Sequence, residues 1–164
     1  MKYKRVFIAS SAEMKQERME LVDLLHDLND EVDNQGLKFK PVLWEYLDSS
    51  MGINRKEDEY LEKLRECKIC LVLFWRTLGE YTVEDLDVAM AEMQAGRLPK
   101  QIYVLYKEPC DGISNELMEF KKSFSMKYPH IPVQPFKNQK MLRELVTSFI
   151  SPQLHLLLKN SNQE

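Results

Sequence analysis

The chain has 164 residues, 44% of them hydrophobic, with 5 Gly and 7 Pro, which suits one globular domain with a full core rather than two. Its formal net charge is -3, from 26 acidic and 23 basic residues spread along the length, so no basic block is available to follow a nucleic-acid backbone or an anionic membrane. The longest apolar run, residues 69–75, is far short of the roughly 18 residues that cross a bilayer. The first residues lead at once into a strand-like segment without a secretory h-region, so a cytoplasmic protein is expected, with neither membrane nor nucleic acid as partner.

Residues 5–9 (RVFIA) read as the first strand. Ser10 and Glu13 have the spacing of a capping box, and Met14, Leu21, Leu25, Leu28 and Val32 then fall on one helical face up to a stop at Gly36. Residues 37–44 (LKFKPVLW) form the second strand. Asn54 and Glu57 repeat the start signal ahead of a helix carrying Tyr60, Leu61 and Leu64. Residues 68–75 (KICLVLFW) make a continuous apolar run, the pattern of a strand buried on both faces. Cys67 and Cys70 spell C-x-x-C. The chain's 3 cysteines and 3 scattered histidines supply no further ligands at zinc spacing, so no metal is expected and both thiols are read as core.

Thr82 and Asp85 give the start signal a third time, before Leu86, Ala89, Met90 and Met93. Residues 101–106 (QIYVLY) and 131–136 (IPVQPF) complete the strands. Helices are expected over 113–128, with Leu117, Phe120 and Phe124 buried, and over 139–150, with Leu142, Leu145 and Phe149 buried. Pro152 should break or kink the last helix, leaving 1–150 as the domain and 151–164 as a helical extension or linker.

Strands joined by crossover helices pair in parallel. Pro41, Pro132 and Pro135 cannot donate to a ladder, so strands two and five belong at the edges, which gives the order 2-1-3-4-5. The fold class is therefore α/β, a flavodoxin-like three-layer sandwich with helices on both faces of a five-stranded parallel sheet. In such a sheet ligands bind beyond the carboxyl ends of the strands where the winding reverses, here between strands one and three. Residues 9–11 and 76–81 would wall the site.

No G-x-G-x-x-G and no G-x-x-x-x-G-K-[ST] occurs, which removes support for a dinucleotide fold of the usual kind and for kinase or ATPase chemistry. The remaining chemistry is acidic. Glu84 and Asp85 are expected in the first turn of a helix starting at Thr82, where the dipole favours negative charge. A carboxylate facing a cleft there is suited to stabilising a glycosyl cation. The plain alternative is capping alone, with Asp85 at the third helical position reaching back to the cap amide.

On Val6-Phe7-Ile8-Ala9-Ser10-Ser11 with the charged helix after it, Trp44 and Glu45 closing strand two, the long loop 46–54 around Gly52, and the Gly79-Glu80-Tyr81-Thr82 turn into the helix at Leu86 to Ala89, the chain resembles the Toll/interleukin-1 receptor (TIR) superfamily. The likeness spans residues 4–136 and is greatest to the prokaryotic TIR-like subgroup. It implies cleavage of NAD into nicotinamide and linear or cyclic ADP-ribose, by a glutamate four residues before a small residue.

That register falls on Asp85, since Ala89 lies four residues later. Aspartate is one methylene shorter than the family's glutamate, and Glu84 beside it is the alternative. One residue of helix turns a side chain by about 100°, so the two cannot face the same way. The resemblance further implies Ser10 and Ser11 near the phosphates or ribose, and Phe7 or Ile8 packing beneath them. It places Trp44, Trp75 and Tyr81 against nicotinamide or adenine, and Arg55 near a phosphate. It makes NAD the substrate with no cofactor beyond it, and implies homotypic TIR contacts through a loop with Ser50, Gly52 and Asn54. Activity would then be switched on by self-association, in bacterial immune signalling of the antiphage kind. Two other functions fit the same residues: a TIR interaction module without catalysis, which the aspartate favours, and a nucleoside-processing glycosyltransferase.

Overall fold

The structure is a computed structural model that describes residues 2–32, 36–43, 53–108 and 111–162, the side chains of 53–58 and 153–162 excepted. Trp44, Glu45, Ser50 and Gly52 lie outside the described residues, as do the side chains of Asn54 and Arg55. The elements alternate: β1 (Lys2–Ser10), a 3-10 turn (Ala12–Met14) running into α1 (Lys15–Val32), β2 (Leu37–Val42), α2 (Ile53–Leu64), β3 (Ile69–Phe74), α3 (Glu80–Gln94), β4 (Gln101–Lys107), α4 (Asn115–Lys127), β5 (Val133–Phe136) and α5 (Gln139–Asn162). All strand pairs are parallel, in the order β2-β1-β3-β4-β5. This is the flavodoxin-like three-layer arrangement expected from the strand pattern and the edge prolines.

Period-two alternation divides the core. Val6, Ile8, Leu71, Leu73 and Leu105 face α1 and α5, where they meet Leu21, Leu25, Leu28, Leu142 and Val146. Phe7, Ala9, Cys70, Val72, Phe74 and Val104 face α2, α3 and α4, against Leu64, Leu86, Ala89, Met90, Leu117 and Phe124. Both faces of β3 are covered, which is why its residues read as one apolar run. Cys67 and Cys70 are both in the core. Burial pushes the Cys67 thiol up to about 12, and its Sγ donates to the Lys63 carbonyl at 3.2 Å.

Three helix signals resolve differently from expectation. Ser10 belongs to β1, Ser11 precedes the 3-10 turn without a side-chain cap bond, and Glu13 is turned to a distant loop, so the Ser10–Glu13 capping box is not formed. Helix α3 starts at Glu80 with Gly79 as its N-cap, so Thr82 is not a cap. α5 continues through Pro152 without a break. A proline's missing donor and its ring are accommodated there within one helical run.

Asn29 of α1 brackets the backbone of β2. Its Nδ2 donates to the Phe39 carbonyl at 2.9 Å, and its Oδ1 accepts from the Phe39 amide at 2.6 Å. The side chain thereby satisfies the edge strand as a neighbouring strand would. Asn29→Leu, which orphans both groups beside a buried Phe39, is expected to cost about 1–3 kcal/mol, read as a lower denaturant midpoint at unchanged slope. An unchanged midpoint would show that water replaces the amide without penalty.

Candidate active site

Beyond the carboxyl ends of β1 and β3 the chain encloses a cleft of about 350 Å³, lined by Ser10, Ser11 and Ala12 on one side and Gly79 to Thr82 with Asp85 on the other. This is the point where the winding reverses. Arg18 and Tyr60 complete the wall.

The Ser10 side arises from the end of β1, where the strand stops at Ser11 and the 3-10 turn bends the chain into α1. Arg18, only 6% exposed, points its guanidinium back at this bend. Its Nη1 donates to Ser10 Oγ at 2.6 Å and to the Ser11 carbonyl at 2.7 Å. Ser11 Oγ is enclosed with no hydrogen-bond partner among the described residues. Tyr60 of α2 lies with its ring 4.5 Å from that of Phe7, and its hydroxyl donates to the Ile8 carbonyl at 3.3 Å.

The opposite side is the start of α3. Glu13 ties down the loop that leads into it from β3: its carboxylate accepts from the Arg76 amide at 3.0 Å and from the Thr77 amide and hydroxyl at 3.3 Å. Gly79 sits where the two walls approach. A Cβ there would stand 2.9 Å from Thr82 Oγ1 and 3.4 Å from Ser11 Cβ. Thr82 is buried, so Gly79→Ala is expected to destabilise the fold by about 1–2 kcal/mol as an overpacking change, and to widen the cleft. A thermal melt beside a ligand titration checks both effects, and wild-type behaviour in both would mean that Thr82 simply rotates away.

The helix start at Glu80 also changes the electrostatics. Asp85 lies one and a half turns into α3 rather than in its first turn, so the helix dipole acts on it only weakly. Its place in the cleft comes from side-chain direction instead. Asp85 is 6% exposed and lines the cleft, whereas Glu84 is exposed and does not. Tyr81 stands at the mouth, 60% exposed.

The cleft thus unites Ser10, Ser11, Tyr81 and Asp85 from the residues expected of it. Trp75 lies elsewhere. It packs against the α1/α5 side of the core, with the Arg76 guanidinium 3.9 Å and the Lys107 ammonium 4.0 Å from its ring centroid. Phe7 and Ile8 are core residues of opposite faces. Arg18 and Tyr60 are the additions to the cleft wall, and Glu13 anchors the loop after β3. Arg18 has a visible signal: positions 14, 18, 21, 25, 28 and 32 continue one helical stripe, and Arg18 is its single charged member. A cation on an apolar stripe next to a strand end is a marker of a buried polar site.

Sheet order, cleft position and lining residues define a flavodoxin-like α/β domain with a mixed-charge cleft at its topological switch point. No protein-family model matches the chain, and no curated protein does. Among solved structures, the crystal structure of RosB with bound 8-demethyl-8-formylriboflavin-5'-phosphate is similar, with a TM-score of 0.43 and 15% identity over 93% of this chain and 80% of that one. No helix among the described residues is long and apolar enough to cross a membrane.

Proposed function

We propose that the chain is a TIR-like, cytoplasmic NAD glycohydrolase with Asp85 as its catalytic carboxylate. The observation that carries the reading is the pairing, in one cleft at the switch point, of a nearly buried carboxylate on the α3 side with a nearly buried guanidinium on the α1 side. An NAD molecule presents complementary groups: a pyrophosphate for Arg18 and the Ser10 and Ser11 hydroxyls, and a nicotinamide ribose for Asp85. Tyr81 at the mouth offers a ring to the nicotinamide. The cleft volume suits part of such a ligand, with the remainder extending past Tyr81.

The reaction needs little from the protein beyond this. The bond from ribose C1' to the nicotinamide nitrogen breaks, and its electron pair leaves with nicotinamide as the neutral base. Positive charge develops on C1' and the ring oxygen, opposite the Asp85 carboxylate. Water then adds to C1' and loses a proton, giving ADP-ribose. Burial strengthens the interaction because few waters screen it. Homotypic contacts through the loop that holds Ser50, Gly52 and Asn54 would assemble the active form.

Release of nicotinamide from NAD, followed with the protein dilute and then clustered on a scaffold, tests the proposal. Turnover that rises with clustering is the expected result. No turnover at any density would overturn it and leave the non-catalytic interaction module as the function.

A further inference from the structure

A second cavity, of about 380 Å³, opens at the carboxyl ends of β3, β4 and β5 and shares no residue with the Asp85 cleft. It is lined by Trp75, Tyr106, Lys107, Glu108, Ile113, Lys121 and Lys137. The three lysines come from separate parts of the chain: the end of β4, the middle of α4 and the segment after β5. Lys107 pairs with Glu17 at 2.6 Å and Lys121 with Glu108 at 3.6 Å, while Lys137 is exposed and has no ion-pair partner among the described residues. The cavity therefore holds a cation in excess, on a chain whose net charge is -3.

Tyr106 supplies the independent observation. It is 3% exposed and lines this cavity, and its hydroxyl is enclosed with no hydrogen-bond partner among the described residues. A buried hydroxyl left unpaired costs stability, and an entering acceptor would recover that cost. Lys121 Nζ lies 4.6 Å from the Tyr106 ring centroid, so a cationic donor and the phenol are already neighbours. Burial pushes the phenol well above its ordinary range, so it remains a donor throughout the physiological range. The Trp75 ring already carries Arg76 and Lys107 over it and is not offered to a ligand base. The cavity is lined by three lysines and the Tyr106 hydroxyl against one carboxylate, Glu108.

We propose that this cavity is an anion site that takes the phosphate group of a small phosphomonoester, held by Lys121 and Lys137 with the Tyr106 hydroxyl as a third donor and Lys107 behind them. A tetrahedral dianion can accept from all of these at once, and several charge-assisted bonds distinguish it from a halide. The site does not depend on the chemistry proposed for Asp85.

Calorimetric titration with inorganic phosphate and with ribose 5-phosphate, in buffers matched in ionic strength with potassium chloride, tests it. Saturable binding of both probes is expected. Lys137→Gln and Lys121→Gln, both at accessible positions, should each weaken it about tenfold. Tyr106→Phe should weaken it several-fold while leaving the melting temperature of the unliganded protein unchanged or higher, because it removes an unpaired group. Asp85→Asn should bind as wild type. Non-saturable binding, equal competition by chloride, or wild-type affinity in the lysine and Phe variants would overturn the site. Exclusion of ribose 5-phosphate alone would overturn its assignment to an organic phosphate.

Discussion

Asp85→Asn is expected to lower nicotinamide release from NAD by clustered protein by roughly two to three orders of magnitude, the scale on which a single preorganised electrostatic group acts at a developing charge. Asparagine keeps the shape and removes the charge, so the melting temperature and circular dichroism should stay close to wild type. Glu84→Gln, at an exposed neighbouring position outside the cleft, should leave turnover near wild type. The comparison is decisive because the two carboxylates are adjacent in sequence and lie about 100° apart around the helix. Asp85→Glu should retain activity, since the added methylene carries the carboxylate further into the cleft. If Glu84→Gln abolishes turnover and Asp85→Asn does not, the proposed geometry is wrong. Arg18→Gln provides a separate reading, because weaker NAD binding with a smaller change in turnover is expected of a phosphate contact.

The largest stability effect is expected at Glu17. This residue is 2% exposed in α1, and its Oε1 accepts from Lys107 Nζ at 2.6 Å, linking sequence positions ninety apart. Glu17→Leu leaves an ammonium partly enclosed beside Trp75 with no counter-charge. The expected cost is about 2–3 kcal/mol, below the full range for a wholly buried pair because Lys107 is about one-quarter exposed. The double variant Glu17→Leu with Lys107→Met should recover most of that loss, because it removes both charges and keeps apolar volume. Chemical denaturation of the two single variants and the double variant closes the cycle. If the double variant is no more stable than Glu17→Leu, the pair is not what holds the α1 side to the end of β4.

Much of this was legible from the chain itself. Apolar runs bounded by helical stretches specify parallel strands, and prolines at positions 41 and 135 mark the outer two, because a residue without an amide proton cannot serve a central ladder. The order β2-β1-β3-β4-β5 then places a cleft between β1 and β3, and Ser10, Ser11, Tyr81 and Asp85 meet there. Helix starts were less legible. Capping patterns are short and occur by chance, and the chain uses its polar groups for longer-range bonds: Ser10 accepts from Arg18, and Glu13 from the loop after β3.

Local sequence therefore determined the element types, their order and the end of the sheet at which a site forms, since these depend on periodicity and on backbone donors. Only tertiary packing decided which carboxylate enters the cleft. Helix α3 begins at Glu80 with Gly79 as its cap, and its packing on β1 and β3 turns Asp85 rather than Glu84 into the cleft. Tertiary packing likewise sent Trp75 to a different cavity, and brought Arg18 and Tyr60 from other helices into the wall. The Tyr60 and Trp75 placements are contacts between residues far apart in the chain, which no local pattern encodes, whereas Arg18 is marked by its place on the apolar stripe of α1.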